Sequence, residues 1–153
     1  MIRRTALVLA TVSLIITIAS SCTDNSRTDP KAAVIAMFGA MEKNDRATLA
    51  HLLDLAELMG NINEDYALKN DKPRVFTSPE QILDDLTGDG VTKKRWFSLQ
   101  RIVNKAEIDG ETATVEVTFI DKDQSKGYRT KFGLHKVHDR WKIYSFKTIV
   151  GTN

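Results

Sequence analysis

The residues of this sequence that could act in catalysis or bind a metal are one cysteine, a spaced pair of histidines and two pairs of adjacent carboxylates. Cys22 is the only thiol, and a thiol can act as a nucleophile or a metal ligand. His135 and His138 form an H-x-x-H, a spacing that can hold zinc. Glu64-Asp65 and Asp84-Asp85 are pairs of carboxylates of the kind that could share a proton. Each possibility depends on how the surrounding elements direct the side chains.

The predicted elements separate these groups. His135 lies near the end of a predicted strand, where side chains three positions apart point to opposite faces unless the turn intervenes. Adjacent carboxylates on a helix or strand also diverge. No third ligand accompanies the histidines. We therefore expect no metal site and no bound cofactor, and we read the histidines as surface residues near a turn.

The surroundings of Cys22 indicate export and lipidation. Arg3 and Arg4 precede a largely apolar stretch, Thr5–Ile18, which is followed by the small residues Ala19-Ser20-Ser21. As a helix this stretch would be roughly 21 Å long, short of the roughly 30 Å hydrocarbon core of a bilayer. A basic start, a short apolar region and a small-residue exit are typical of a secretory signal peptide.

Ala19-Ser20-Ser21-Cys22 also resembles the lipobox of bacterial lipoproteins, with alanine at the first position where that motif usually has leucine. A lone thiol in an oxidising compartment has no disulfide partner, and lipidation would remove it from reactive chemistry. We predict a signal peptide over 1–21 and lipidation at Cys22. Unlipidated secretion and an uncleaved membrane anchor are the alternatives.

The charge balance argues against nucleic acid as a partner. The chain has 22 Lys and Arg against 20 Asp and Glu, and removal of Arg3 and Arg4 leaves 20 of each. Without a net positive charge there is no electrostatic basis for binding nucleic acid. The predicted partners are instead a membrane, through the lipid anchor, and an apolar small molecule or an envelope protein. The predicted location is the cell membrane or outer membrane, with the domain in the periplasm or at the cell surface.

The first part of the mature chain predicts helices. The polar residues 22–29 suggest a solvated tether, and Asp29-Pro30 is a helix start signal that opens a domain over 30–153. Asp45 can cap a second helix that carries Leu49, Leu52, Leu53 and Leu55. The stretch 60–76 reads as irregular, with a short strand around 74–77. A third helix begins at Ser78-Pro79 with Gln81 in a capping box and ends at Gly88-Asp89-Gly90.

The later part of the chain predicts about four strands. Strand-forming residues run from Trp96 to Ile108, and Asp109-Gly110 is a hairpin signal. Alternating segments follow over 112–120 and 128–136, and Trp141–Val150 ends the domain. The basic run Lys93-Lys94-Arg95 reads as a solvated strand entry, with contact to anionic headgroups as the alternative. Helices followed by strands predict an α+β fold, with the helices packed on a curved antiparallel sheet.

This order of elements, with Asn44-Asp45 between two helices and an Asp139-Arg140-Trp141-Lys142-Ile143 ending, resembles the NTF2-like (cystatin-like, cone-shaped) superfamily. It is most similar to small bacterial lipoproteins within that superfamily. The resemblance covers Pro30 to Val150. It implies a curved sheet around a long first helix, often enclosing a pocket. Superfamily members include isomerases, dehydratases, transport factors and binding modules, so the fold does not choose a function.

The strand pattern indicates which residues would meet that pocket. The predicted inward faces hold apolar side chains and hydroxyls, which suits binding better than acid–base catalysis, although an enzymatic role stays open. Glu116 and His135 fall on the opposite, open face. The predicted pocket-lining residues are Phe38, Met41, Val117, Phe119, Tyr128, Phe132 and Trp141. Tyr128 is the phenolic donor of this set, and a core aromatic is its simpler interpretation.

The last predicted strand carries aromatic side chains on both of its faces. If Trp141 and Ile143 face the helices, Tyr144 and Phe146 lie on the open sheet face as a partner site or homodimer seam. A β-bulge or a covering loop is the alternative. The sequence thus predicts a lipid-anchored binding module for a ligand or protein. A small isomerase or dehydratase, or an assembly factor that docks an envelope complex through its open sheet face, are the other hypotheses.

Overall fold

The computed structural model describes residues 25–65 and 76–149. A 3-10 turn over Asn25–Arg27 precedes five helices: α1 (Pro30–Lys43), α2 (Arg46–Leu52), α3 (Leu55–Asp65), α4 (Pro79–Leu86) and α5 (Val91–Phe97). Four strands follow: β1 (Gln100–Asp109), β2 (Thr112–Asp121), β3 (Lys126–Val137) and β4 (Arg140–Ile149). The α+β prediction is confirmed. None of the helices in these residues has the length and apolar character that crossing a bilayer requires.

The predicted starts of the first two helices are correct. The Asp29 carboxylate accepts from the Lys31 amide at 2.9 Å, and Pro30 opens α1. Asn44 ends α1 in the left-handed conformation. Asp45 then accepts from the Thr48 amide at 3.0 Å and caps α2. These local hydrogen bonds satisfy amides that the first turn of a helix leaves unpaired.

The second predicted helix is interrupted at Leu53. This residue is extended and forms a parallel bridge with Ile143 of β4, and the Asp54 amide donates to the Ile143 carbonyl at 2.9 Å. The chain becomes helical again at Leu55 and stays so to Asp65, so the prediction of irregular structure over 60–65 is wrong. Of the predicted short strand at 74–77, the first two residues lie outside the described part; the last two, Phe76 and Thr77, are not in a strand.

The region before the sheet also differs from the prediction. α4 begins at Pro79 as expected, but Ser78 makes no capping bond, and the Gln81 side chain accepts from the Thr77 amide at 2.8 Å instead. After Gly88-Asp89-Gly90 the chain forms α5, so Trp96 lies on a helix rather than on the first strand. The Asp85 carboxylate caps this helix by accepting from the amides of Val91 and Thr92. A side chain of the preceding helix therefore caps α5, whose own N-cap residue, Gly90, has no side chain to do so.

The strands form one antiparallel meander in the order β1-β2-β3-β4. Gly110, with φ of 59°, makes the predicted two-residue hairpin turn between β1 and β2. His138 and Asp139, with φ of 50° and 59°, make the turn between β3 and β4, which is the backbone pattern of a type I′ turn. The β1–β2 and β3–β4 turns consequently lie at one end of the sheet, and the β2–β3 turn lies at the other.

A β-bulge in β4 decides which face its aromatic residues occupy. Gly133 pairs with Ser145, whereas its neighbour Leu134 pairs with Ile143, so Tyr144 is the extra residue. The insertion shifts the alternation by one position. Ile143 and Phe146 therefore both face the core. The alternative that we left open for this strand is the correct one, and the prediction that Phe146 lies on the open face is wrong.

The segment before α1 belongs to the domain. Ser26 is buried in the 3-10 turn, and the Trp141 indole nitrogen donates to the Thr28 carbonyl at 3.3 Å. The prediction of a solvated tether is therefore wrong for Asn25–Asp29. Residues 22–24 lie outside the described part of the chain.

Candidate functional site

The side chains predicted to line a pocket lie in the core of the domain. Phe38, Met41, Val117, Phe119, Phe132 and Trp141 are each at most 8% exposed, and Tyr128 packs against them half-buried. The described part of the chain has surface grooves of about 250 to 420 Å³. None of these seven side chains lines one of those grooves. A pocket lined by these residues stays a prediction.

Aromatic rings fill the space between α1, α5 and the sheet. Phe38 contacts Trp96, Phe119 and Phe132 edge to face, with centroid distances of 5.7 to 6.2 Å. Phe146 lies 5.4 Å from Trp96 and 5.1 Å from Phe132. Edge-to-face pairs at these distances are favourable and typical of a packed core. The contribution of Trp96 follows from α5, which the sequence pattern did not predict.

Arg101 brings a charge to one end of this aromatic cluster. On β1 it pairs with core-facing Phe119, and its guanidinium lies 3.9 Å from the Phe97 ring centroid and 5.6 Å from that of Phe38. It donates to the Trp96 carbonyl at 2.8 Å. Partial burial lowers the pKa of the guanidinium, although arginine stays charged in proteins. These contacts make Arg101 a structural cation that anchors β1 to α5.

A second group of polar side chains lies on the opposite, outer face of the sheet. His135 Nε2 lies 3.0 Å from Asp54 Oδ2, and both side chains are about a quarter exposed, at 28% and 24%. The His135 and Tyr144 rings lie 4.9 Å apart and tilted by 31°. We call Asp54, His135 and Tyr144 the outer-face cluster. The expectation that His135 lies on the open face is confirmed.

The bulge and a glycine position the tyrosine in this cluster. A Cβ at Gly133 would lie 2.4 Å from Ser145 Oγ and 3.1 Å from the Tyr144 ring, so the ring crosses β3 where that strand has no side chain. Asn61 of α3 donates to the Tyr144 carbonyl at 3.0 Å. Beyond the ring lies a groove of about 250 Å³ between β1, β2 and Tyr144. The tyrosine is thus held half-buried at the edge of a groove.

Asp54 is the member of the cluster that sequence reasoning missed. It precedes α3 and accepts from the Glu57 amide at 3.3 Å. The signal was present as Asp54-x-x-Glu57, a helix-start pattern that we read as the interior of a longer helix. A carboxylate can only accept, so Asp54 favours the tautomer of His135 with the proton on Nε2. A histidine held in this way can take up a proton from a group placed at its other nitrogen.

The remaining candidate groups are separate from the cluster. His138 lies in the β3–β4 turn, with φ of 50°. Asp84 is exposed and pairs with Arg46, whereas buried Asp85 caps α5, so this carboxylate pair diverges as predicted. Glu64 and Asp65 fall in the last turn of α3. Within residues 25–65 and 76–149, no three His, Cys, Asp or Glu side chains are grouped to hold a metal.

The basic run lies on α5, where its lysines already have partners. Lys93 donates to the Asn44 side-chain oxygen at 2.6 Å, and Lys94 pairs with Asp89 at 3.0 Å. The hydrogen bond from Lys94 lowers the pKa of the Asp89 carboxyl. Asn44 also accepts from the Gly88 amide at 2.6 Å. These contacts join the end of α1 to the turn before α5 and give the run a structural role.

Comparison with solved structures assigns the fold. The chain is similar to a dehydratase candidate of the NTF2-like family from Streptomyces avermitilis, with a TM-score of 0.51 and 16% identity over 86% of this chain and 100% of that one. It is also similar to an NTF2-like protein of unknown function from Silicibacter pomeroyi DSS-3, with a TM-score of 0.50 and 12% identity over 81% of this chain and 94% of that one. No protein-family model and no curated protein matches the sequence. The chain has the NTF2-like fold, as predicted.

Proposed function

We propose that this chain is a lipid-anchored protein of the bacterial cell envelope whose NTF2-like domain binds a protein partner through the outer face of its sheet. The observation that carries the proposal is the contrast between the two faces. Aromatic rings pack against one another on the inner face, while Asp54, His135 and Tyr144 form a cluster on the outer face. Lipidation at Cys22 supplies the location.

The inner face gives less support to a small-molecule site. Binding pockets combine an apolar wall with a few polar groups that converge on the ligand. Here Phe38 contacts both Phe119 and Phe132, and Arg101 is stacked on rings and bonded to a main-chain carbonyl. Opening a cavity would separate these rings, at a cost of about 0.5 to 1.5 kcal/mol for each pair in addition to the lost burial.

The outer face carries one residue that is typical of a protein contact, Tyr144. Tyrosine is enriched in interfaces because its ring is large and rigid and its hydroxyl can hydrogen-bond. The Tyr144 ring packs against His135 and lies over Gly133, so a partner would lose little side-chain entropy on contact with it. Exposed Arg129 and Lys131 extend this face with charge. A second copy of the chain, which would form a homodimer, is one partner that this surface could take.

The anchor is tested in cells that produce the full chain. Blocking lipoprotein signal processing with globomycin, or making Cys22→Ala, should change the mass of the mature protein and release it from the membrane fraction. Ser21→Ala is the matched control, since it keeps a small residue before the cysteine and should leave both properties unchanged. If Cys22→Ala changes neither mass nor fractionation, the anchor is wrong.

The binding face is tested by placing a photo-crosslinking amino acid on each side of the molecule. On the outer face we would replace Lys131, and as a control Glu80, which is exposed on α4. Illumination should give a discrete adduct from position 131, and Tyr144→Ala should weaken it. An adduct of twice the chain mass identifies a homodimer, and a larger or smaller one identifies another protein. Equal crosslinking from both positions, or none from 131, contradicts the proposal.

The second candidate function is a small enzyme of the isomerase or dehydratase kind, and the contact between His135 and Asp54 favours it. An imidazole that a carboxylate holds in place is a suitable general base for removing a proton from a substrate. Mass spectrometry of the native protein extracted from membranes separates the two candidates. A stoichiometric small molecule that is lost in His135→Gln supports the enzyme, and a bound protein without such a molecule supports the binding module.

A further inference from the structure

The charged residues on the outer face of the sheet are sorted by strand. Antiparallel pairing places every second residue of each strand on this face. On β1 and β2 the charged residues in these positions are Glu107, Asp109 and Glu116, which we call the acidic half. On β3 and β4 they form a basic half that holds Arg129, Lys131, Lys142 and Lys147.

The remaining charged groups beside the two halves do not reverse their signs. Lys105 is exposed in the β1 bulge and adds one cation to the acidic half. In the basic half His135 is paired with Asp54, and α3, which borders β4, adds exposed Glu57. With these groups included, three carboxylates oppose one lysine in the acidic half, and four cations outnumber two carboxylates in the basic half.

Most of these charges have no partner of opposite sign in their own chain. Glu116 lies 3.8 Å from Arg129, where the two halves meet. Glu107, Asp109, Lys131 and Lys142 form no side-chain hydrogen bond or ion pair with other residues in 25–65 and 76–149. At the usual spacing of strands β1 lies about 10 Å from β3 and about 14 Å from β4. The two sets of charges are therefore held apart across the sheet.

A second copy of the chain can supply the missing partners through a two-fold axis parallel to the strands. Such an axis stacks β1 of one copy on β4 of the other and β2 on β3, so each acidic half meets a basic half. An axis perpendicular to the strands would stack β1 on β1 and set like charges against each other. Because packed sheets keep their strand directions within about 30°, the charge pattern selects the first arrangement.

The size of the face and its apolar side chains also suit a second sheet. Four strands of about ten residues present a face of about 19 by 30 Å, the same order as the roughly 800 Å² that each partner buries in a standard interface. Ile102, which is 44% exposed, and half-buried Ile120 lie toward one end of the face, and Tyr144 lies toward the other. A second copy would cover all three.

We infer that the protein partner of the outer face is a second copy of this chain, docked face to face with the acidic half of each copy against the basic half of the other. The inference rests on the proposed function, which gives this face a protein partner, and it identifies that partner. Charged groups fix the orientation of the two copies, so the dimer weakens as salt screens them.

Reversing the charge of one half at a time tests this pairing. Glu107→Lys/Asp109→Lys makes both halves basic, and Lys131→Glu/Lys142→Glu adds carboxylates to the basic half. Each variant should associate with itself about tenfold or more weakly than the unmodified chain, because like charges then meet. The two variants mixed should associate again, since each reversed half then faces a half of opposite sign. Lys31→Glu/Lys43→Glu, on α1, is the matched control for the change in net charge.

Association is measured between full-length copies that carry two different C-terminal tags, produced in the same cells and extracted from membranes in mild detergent. Capture through one tag should recover the other for the unmodified chain, the control and the mixed variants, and less at about 1 M salt than at about 0.1 M. Recovery from the mixed pair also shows that both variants fold. Undiminished recovery from each reversed variant alone, or none from the mixed pair, overturns the inference.

Crosslinking from position 131 distinguishes failure of this inference from failure of the proposed function. If the tagged copies do not associate and position 131 still gives an adduct of another mass, the second copy is wrong and the outer face remains a binding surface for a different protein. If the copies do not associate and position 131 gives no adduct, both the inference and the proposed binding face are wrong.

Discussion

The indole nitrogen of Trp141 donates a hydrogen bond to the main-chain carbonyl oxygen of Thr28, 3.3 Å away. This contact joins the start of the last strand to the segment that precedes the first helix. It makes Asn25–Asp29 part of the folded domain. A segment close to the start of the described chain is therefore held by a residue more than 110 positions away from it in the sequence.

Replacing Trp141 by phenylalanine should loosen this segment. Trp141→Phe removes the hydrogen bond and part of the ring, which should lower the free energy of unfolding by about 1 to 2 kcal/mol. Tryptic cleavage after Arg27 should also become faster at low protease concentration. Trp96→Phe is the control, since it reduces a core indole but leaves the Thr28 contact in place. Equal cleavage after Arg27 in the two variants would contradict the role of the contact.

Gly133 should not tolerate a side chain. The Cβ of alanine would meet Ser145 Oγ at 2.4 Å and the Tyr144 ring at 3.1 Å, so Gly133→Ala should destabilise the domain by about 1 to 3 kcal/mol. Ser145→Ala combined with it should restore part of the loss. Gly39→Ala is the opposite control: its Cβ meets nothing within 4 Å inside α1, and it should stabilise the helix by about 0.5 to 1 kcal/mol. Denaturant unfolding measures all three, and an unchanged midpoint for Gly133→Ala would refute the packing argument.

The neighbouring carboxylates Asp84 and Asp85 should respond differently to alanine. Asp85 is buried and accepts from the amides of Val91 and Thr92, so Asp85→Ala leaves donors unpaired and should cost about 1 to 3 kcal/mol. Asp84→Ala removes an exposed ion pair with Arg46 and should cost less than about 1 kcal/mol. Thermal unfolding compares the two. Similar losses from both variants would show that Asp85 is not the cap of α5.

Acidification should weaken the cap of α2. Hydrogen bonds from the Thr48 hydroxyl and amide lower the pKa of the Asp45 carboxyl below its ordinary value of 3.8. A carboxyl with a lower pKa in the folded state contributes stability above pH 3.8, and this contribution is lost as the pH falls through the folded-state pKa. Carbon-13 NMR titration should show this low pKa, and Asp45→Asn should reduce the loss of stability on acidification. An ordinary pKa for Asp45 would disprove the prediction.

Much of the fold could be predicted because local chemistry specifies it. Asp29-Pro30 and Asp45 each start a helix through their own side chains, and Asp109-Gly110 forms a tight turn because glycine accepts a positive φ. The alternation over 112–120 correctly placed Val115, Val117 and Phe119 on the inner face. These signals depend on residues close together in the chain.

The errors occur where residues outside the local pattern override it. Leu53 leaves the helical pattern to bridge Ile143, 90 positions away. The cap of α5 is Asp85, which lies only six positions before Val91 but belongs to the preceding helix. Phe146 moved from the outer face to the core because a single extra residue in β4 reverses the alternation after it. The residue type at position 144 does not predict a β-bulge.

The sequence by itself determined the class of fold, the order of most elements and the inward face of β2, because helix caps, turns and alternation act within a few residues. It also supplied the prediction that Cys22 carries a lipid. Only the tertiary structure decided that Asp54 contacts His135, 81 positions away, and that the segment Asn25–Asp29 is held by Trp141. Both contacts require two distant parts of the chain to meet at one edge of the sheet, and this meeting depends on the packing of the whole domain.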